Sequence, residues 1–566
     1  MSKIKPRRAD VKEVFDGFAG LGTAKMLGDT AAELCNFRLL ADGSLEKRCG
    51  WQVWEELLGE VRGVWQGPMD GTSCVFAVSE DTVYRIANGR KTAVGGLMYS
   101  SGRVEFVLYR GHLYLLDGDR IYVYAEALDT FEAAPGYAPM YGRNWHPTEW
   151  GEVNEPLNLF SKRLRVHYYN STGTTTFILP YYAQSIDLVR VDNAATTGYS
   201  FTAGSNSITL SSVGAYVEIA FTMLYTSTLY TQLQTCTRAF LDYAGDREAL
   251  LLWGGEAGET LFCSAQVDGN MLNACKVAYT DADPLYCKAS GVLTVGDRLH
   301  PVTTLCHDRD RILAFHALGA ASVTLSEEDD TVDSYALLRG VGCTAHIDLT
   351  LNGDTVILNE GGIFKLSSTA AEPDDFELTC LSDGVRGMLT ASFLKNATAF
   401  ADTAHGELWF RDVTDTAGTV WVYHTVRKQW YTFDGMVADF FLSVDGCCGF
   451  ASDNQICLFD ETLTTDGGAA FQAVWQSGWL GFSSPEAVKR SLRMTLCAEG
   501  AGNTAELTFQ TEKRERMISL QSDAEGDPVL FDRRLTLGRF TLLRVRLCDS
   551  GTARSRYGRL ALYANL

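Results

Sequence analysis

Catalytic chemistry leaves traces in residue spacing, and this chain carries few of them. No Gly-x-Ser-x-Gly elbow, His-Glu-x-x-His pair or phosphate-binding loop occurs in its 566 residues. The nine His are isolated from one another. His307-Asp308-Arg309-Asp310 has the residue types of an acid/base cluster, but such a run reads better as a polar turn between strands. Glu327-Glu328-Asp329-Asp330 and Asp281-Ala282-Asp283 are acidic enough for Ca²⁺, yet lack the Gly and terminal bidentate Glu of an EF-hand loop. The glycines of Gly17-Phe18-Ala19-Gly20-Leu21-Gly22 stand in the wrong order for a dinucleotide fingerprint, and no strand pattern precedes them. No catalytic, cofactor-binding or metal-ligating residue is therefore assigned, and the chain reads as a non-enzyme without a cofactor. One cluster suits recognition. Tyr137, Tyr141, Trp145 and Trp150 crowd a loop region, where aromatic faces stack on sugars or fill a domain junction; the junction is the favoured reading.

Composition narrows the class. The 15 Cys are scattered from Cys35 to Cys548 without a C-x-x-C pair, which reads as buried reduced thiols. Net charge is −21, from 49 Lys and Arg against 70 Asp and Glu, which argues against a general nucleic-acid binder. It suits solubility, and it also suits an acidic wall past which DNA slides without sticking. The basic exception is Lys3, Lys5, Arg7, Arg8 and Lys12, which read as an arm reaching for an acidic partner or as a solvated tail. No apolar run reaches the roughly 18 residues of a membrane span. The first residues lack the apolar core of a signal peptide, so synthesis in a cytoplasm is expected.

The elements that would carry any site are strands. A hairpin of two alternating strands around a Gly/Asp/Asn/Ser turn starts near residues 74, 112, 249, 311, 354, 407 and 448. In the first, Val75-Phe76-Ala77-Val78 turns at Ser79-Glu80-Asp81 into Thr82-Val83-Tyr84-Arg85-Ile86. Strand-only units recurring at roughly 40 residues are the mark of propeller blades. The jump from 112 to 249 makes room for longer Thr- and Tyr-rich strands over residues 141–235, read as an inserted β-sandwich. A last set of alternating strands follows Thr465-Asp466-Gly467-Gly468. The expected fold is all-β: a six- or seven-bladed β-propeller with an inserted and a C-terminal β-sandwich. The expected domains are an N-terminal arm and hairpin (1–50), the first part of the propeller (51–140), the insertion (141–235), the rest of the propeller (236–464) and a C-terminal β-domain (465–566).

Two stretches resemble a known family. Asn36-Phe37, then Asp42-Gly43-Ser44-Leu45 and Lys47-Arg48-Cys49-Gly50-Trp51, are similar to the opening of tail nozzle and packaged-DNA stabilisation proteins of short-tailed bacteriophages. Its pattern is Asn-hydrophobic, then Asp-Gly-x-Leu-x-x-Arg-x-Gly; Cys49 stands where a proline is usual. The run from Trp475 through Lys489 and on to Ser550–Gly558 is similar to the terminal β-domain of such proteins. The resemblance implies a structural virion protein made in the host cytoplasm, forming a homo-oligomeric ring, hexameric by analogy. It would sit below the portal, meet portal or adaptor and tail-fibre proteins, retain the genome and pass DNA through its lumen without sequence-specific binding. Asn36, Phe37, Asp42, Gly43, Leu45, Arg48 and Gly50 would be structural, and Lys3, Lys5, Arg7 and Arg8 a partner-contact arm. Loops at 327–331 or 367–375 would gate the channel. The other reading is a glycan- or receptor-binding propeller; a propeller glycosidase would need two carboxylates across a pocket.

Overall fold

The computed structural model describes residues 12–23, 30–69, 71–244, 247–266, 284–308, 311–326, 331–368, 375–500, 504–521 and 528–565. The basic arm at Lys3, Lys5, Arg7 and Arg8, both acidic runs and most of the loop at 367–375 lie outside them. The fold is all-β, and it divides into two compact units, Arg62–Cys343 and Met1–Val61 with Thr344–Leu566.

Each of the seven hairpins is the middle pair of an antiparallel meander of four strands. Four such sheets belong to the Arg62–Cys343 unit, the first built from Val61–Met69, Thr72–Ser79, Thr82–Ala87 and Arg90–Gly96. The others begin at Glu105–Tyr109, Arg238–Ala244 and Val302–Asp308. Turn chemistry sets the register. Asn352-Gly353 and Asp445-Gly446 each put two successive residues at positive φ, the two-residue turn that matches strand twist.

These sheets are covered on both faces. All six residues of Glu407–Asp412 are buried, as are the last six of Thr72–Ser79. Alternation toward one solvated face would leave every second residue exposed. Instead the cores join sheets in chain order. Phe76, Val83 and Val94 of the first sheet pack with Leu113, Tyr124 and Phe131 of the second. Tyr114 and Ile121 of the second meet Leu250, Leu252 and Phe262 of the third. Leu251, Trp253 and Leu261 of the third meet Leu305, Ile312 and Val323 of the fourth.

Between the second and third sheets, residues 140–223 form a sandwich with its own core of Trp145, Leu164, Val166, Phe177, Ile208, Ile219 and Phe221. Its larger sheet orders Glu152–Val153, Met140–Trp145, Arg163–Tyr169, Tyr216–Met223, Ala183–Val191 and Ala194–Ala195; its smaller one has three strands. The helix Thr228–Gln234, capped by Ser227 on the Tyr230 amide, leads back to the third sheet.

In the other unit, three more meanders start at Thr350–Leu351, Ala397–Asp402 and Phe440–Val444. The last takes its fourth strand, Gly50–Glu56, from near the start of the chain, antiparallel to Gln455–Asp460. The C-terminal strands alternate cleanly, as Ser491–Glu499 and Leu543–Asp549 show. They are not a separate block. Ala31–Cys35 lies between Gln429–Phe433 and Ala473–Ser477, so one nine-stranded sheet runs from the Ala397–Asp402 meander into the C-terminal domain. Phe37–Leu39 and Leu45–Lys47 extend the opposite sheet through Arg556–Asn565, and Lys12–Asp16 pairs with that same strand. A strand thus does precede the glycine segment at 17–22, contrary to the sequence pattern, because it needs Arg556–Asn565 as its partner. Among the described residues it leads into no helix of the kind a dinucleotide turn needs.

Candidate functional site

The pattern from Asn36 to Gly50 forms a buried clasp. Asn36 is fully buried with φ of 58°, a left-handed conformation that Asn tolerates better than most residues. Its amide nitrogen donates to Gln472 O at 2.8 Å and to the Asp434 carboxylate, and its oxygen accepts from Arg48 Nε at 2.9 Å and the Asp434 amide at 3.1 Å. Arg48 is 2% exposed and spends all five of its donors. Nε goes to Asn36; Nη1 reaches Asp466 Oδ1 at 2.8 Å and Cys49 O at 3.0 Å; Nη2 reaches Asp466 Oδ2 at 2.5 Å and Asp434 O at 3.1 Å. The guanidinium also lies 4.0 Å from the centre of the Phe471 ring. A fork bound on five sides cannot be replaced by an ammonium.

The remaining pattern residues have equally local reasons. Asp42 Oδ1 accepts from the Ser44 amide at 2.9 Å and its other oxygen pairs with Arg556, while Gly43 takes φ of 86° at the turn. Phe37 packs edge-on to Tyr557 at 5.7 Å, and Leu45 is fully buried. A Cβ on Gly50 would stand 2.0 Å from Thr465 O, so only glycine admits that backbone.

The two stretches that carry the family resemblance are one structure. Leu45 pairs with Tyr557 and Glu46 with Arg556, and the Lys47 amide donates to Ser555 O at 2.9 Å. Lys47 Nζ is buried and donates to Gly551 O at 2.6 Å. Asp549, also buried, accepts from Tyr557 Oη at 2.7 Å and from Ser555. Burial, then the neighbouring Asp549, drives the Tyr557 phenol well above its usual range.

Beside the clasp runs a chain of charges that spacing did not reveal. Arg38, buried, pairs with Glu407 at 3.1 Å and Asp402 at 3.5 Å. Glu407 also accepts from Tyr431 Oη at 2.7 Å and Trp409 Nε1 at 2.8 Å. His405 bridges Asp402 at 2.6 Å and Glu461 at 3.3 Å, and Arg554 joins Glu461 to Glu46. Burial alone would lower the Arg38 pKa, but Glu407, Cys49, Tyr431 and Asp402 together outweigh it and hold the guanidinium above its ordinary value. Burial opposes ionisation of Asp402, and the hydrogen bonds and charge of His405 together with the charge of Arg38 overcome that to hold the carboxyl low. A cavity of about 600 Å³, lined by Arg38, Asp402, His405 and Glu461 with Cys447 and Cys448, opens alongside. Its carboxylates are tied to cations, which suits holding elements together more than proton transfer.

The aromatic cluster is split by the fold. Tyr137 is buried, donating to Glu155 at 3.0 Å and accepting from Arg165 at 3.3 Å, and it packs with Tyr286 at 5.2 Å. Arg165 pairs with Glu218 of the neighbouring strand at 3.7 Å, so this network roots the insertion in its unit. Trp145 is sandwich core and Tyr141 is half-buried. Trp150 is 61% exposed with its ring 4.8 Å from that of Trp145. His307 pairs with Asp242 of the neighbouring sheet at 3.0 Å, and Asp308 pairs with Arg311 at 3.2 Å.

No family model matches the chain, and no curated protein does. Among solved structures, it is similar to an extracellular domain of a two-component system from B. thetaiotaomicron, at 9% identity and a TM-score of 0.27 over 90% of this chain. The chain spans 62% of that protein's length. An exo-β-1,3-galactanase from Phanerochaete chrysosporium is similar at 9% identity and a TM-score of 0.23, over 92% of this chain and 100% of that one. A glycoside hydrolase is similar at 10% identity and a TM-score of 0.22, over 89% and 99%. Likenesses this weak assign neither fold nor activity.

Proposed function

We propose that the seven four-stranded sheets close into a β-propeller, and that the chain is a structural component of a phage tail. In this reading it forms a nozzle or connector below the portal, extends the DNA channel, retains the packaged genome and docks fibres. The clasp carries the reading. The two stretches that resemble the tail family lie about 500 residues apart in sequence, yet pair strand to strand, and Asp42, Glu46 and Lys47 of the first bond to Arg556, Arg554 and Gly551 of the second. The last meander completed by Gly50–Glu56 supports closure, since a strand from the chain's start locks its end. Acidic net charge fits a conduit that repels phosphate; retention then comes from steric closure, because carboxylates do not attract DNA. Immunogold labelling of tailed particles from cells expressing the gene tests this. Label at the tail vertex is expected; unlabelled particles, with the chain free in the lysate, would overturn it.

A second reading, a glycan- or receptor-binding propeller, is favoured by Trp150, whose exposed face on a buried Trp145 is a rigid platform for a sugar ring. A glycan array separates the two: a specific hit lost in Trp150→Ala supports recognition.

A further inference from the structure

We infer that the cavity between the helix Thr228–Gln234 and the turns of the second and third sheets binds a single acidic sugar, a pyranose bearing a carboxylate. The cavity lies wholly in the Arg62–Cys343 unit, holds about 780 Å³ and is lined by Tyr99, Asp119, Arg120, Lys162, Tyr230 and Glu256 among others. That volume is in the range of small-molecule sites, roughly 300–1,000 Å³.

The floor is already satisfied. The Gln234 side chain accepts from the Ile121 amide at 3.3 Å and donates to Phe160 O at 3.1 Å. Thr235 and Thr237 hydroxyls donate to Gln232 O at 2.8 Å and Gly254 O at 2.7 Å. These bonds fix the shape of the cavity without filling it. The groups around the opening are less fully engaged. Lys162 Nζ sits 5.0 Å from the centre of the Tyr230 ring, and among the described residues no carboxylate pairs with it. Among the described residues Arg120 pairs with its neighbour Asp119, at 3.8 Å, and acts on the Tyr230 and Tyr122 phenols through charge, with its side chain 45% exposed. The Tyr230 hydroxyl and the Glu256 carboxylate have no hydrogen bond within the described residues.

Two cations, two carboxylates and two phenols around one hollow suit a ligand that is anionic at one point and polyhydroxylated elsewhere. Lys162 and Arg120 would take the ligand carboxylate, Glu256 and Asp119 its hydroxyls, and Tyr230 or Tyr99 its C–H face. A polyanion is disfavoured by the net charge of −21, whereas a single carboxylate can be met by Lys162, which no carboxylate of the described residues neutralises.

Isothermal titration of the full chain with glucuronic, galacturonic and N-acetylneuraminic acids, against glucose and galactose, tests this. At least one acidic sugar is expected to bind in the millimolar range or tighter, with its neutral counterpart about tenfold weaker or more. Lys162→Ala and Arg120→Gln should each cost about tenfold with an unchanged melting temperature. Trp150→Ala should leave the affinity intact, which separates this pocket from recognition at Trp150. Absence of binding by every acidic sugar, equal binding of neutral ones, or full affinity in both pocket variants would overturn the inference.

Discussion

At the scale of single residues, Arg48 shows how much one side chain can be asked to do. Its five donors serve Asn36, Cys49, Asp434 and Asp466, so truncation strands one carboxylate, one side-chain amide oxygen and two backbone carbonyls. Arg48→Ala should cost about 3–5 kcal/mol in denaturant unfolding, and Arg48→Lys should recover little, because an ammonium cannot span the fork. Gly50→Ala should cost at least about 2 kcal/mol, since the added carbon meets the Thr465 carbonyl. Acid sensitivity belongs to this scale too. Burial penalises the charged rings of His167, His316 and His424 and holds each below the ordinary value of 6.5. The unfolded chain then takes up protons that the folded chain refuses. Stability is fully present above about pH 6.5 and falls as pH drops through that value toward the folded pKa values. Urea midpoints should decline from about pH 7.5 to about pH 5.5, and replacing all three with Gln should flatten that slope. The Asn36 and Arg48 pattern was visible in the sequence by resemblance. Their partners Asp434 and Asp466 were not, because they lie about 400 residues away and carry no spacing signal. Arg38, Asp402 and Glu407 were missed for a related reason: Glu407-Leu408-Trp409-Phe410-Arg411-Asp412 reads as an ordinary strand, and nothing in it announces that its charges are buried.

Among elements, legibility follows sequence distance. The seven hairpins could be read because strand, turn and strand are adjacent, and turns such as Asn352-Gly353 state their geometry in two residues. The segment from Ala31 to Lys47 could be read as strands but not placed. Ala31–Cys35 pairs with Ala473–Ser477, and Leu45–Lys47 with Arg556–Asn565, partners that alternation alone cannot choose. The consequence is testable. Residues 465–566 expressed alone leave the edges that Ala31–Cys35 and Leu45–Lys47 cover without partners. The fragment should aggregate or give no cooperative melt, and co-expression with residues 12–56 should restore soluble protein. A fragment that melts cooperatively by itself would show that the N-terminal strands are ornament.

For the whole molecule, the account rests on shape. Sheets buried on both faces, cores that link each of the first four sheets to the next, and N- and C-terminal strands clasped together are what a load-bearing scaffold, as proposed, would need. Breaking the clasp should therefore loosen assembly before it alters any reaction. Particles carrying Arg48→Ala should incorporate less of the chain, as judged by quantitative mass spectrometry against the capsid protein. The measurement that bears most directly on the central claim is electron microscopy of the purified full-length chain. The account predicts a toroid of sheets with a central hole, assembled as a ring of several copies. Solitary particles without a hole would contradict it.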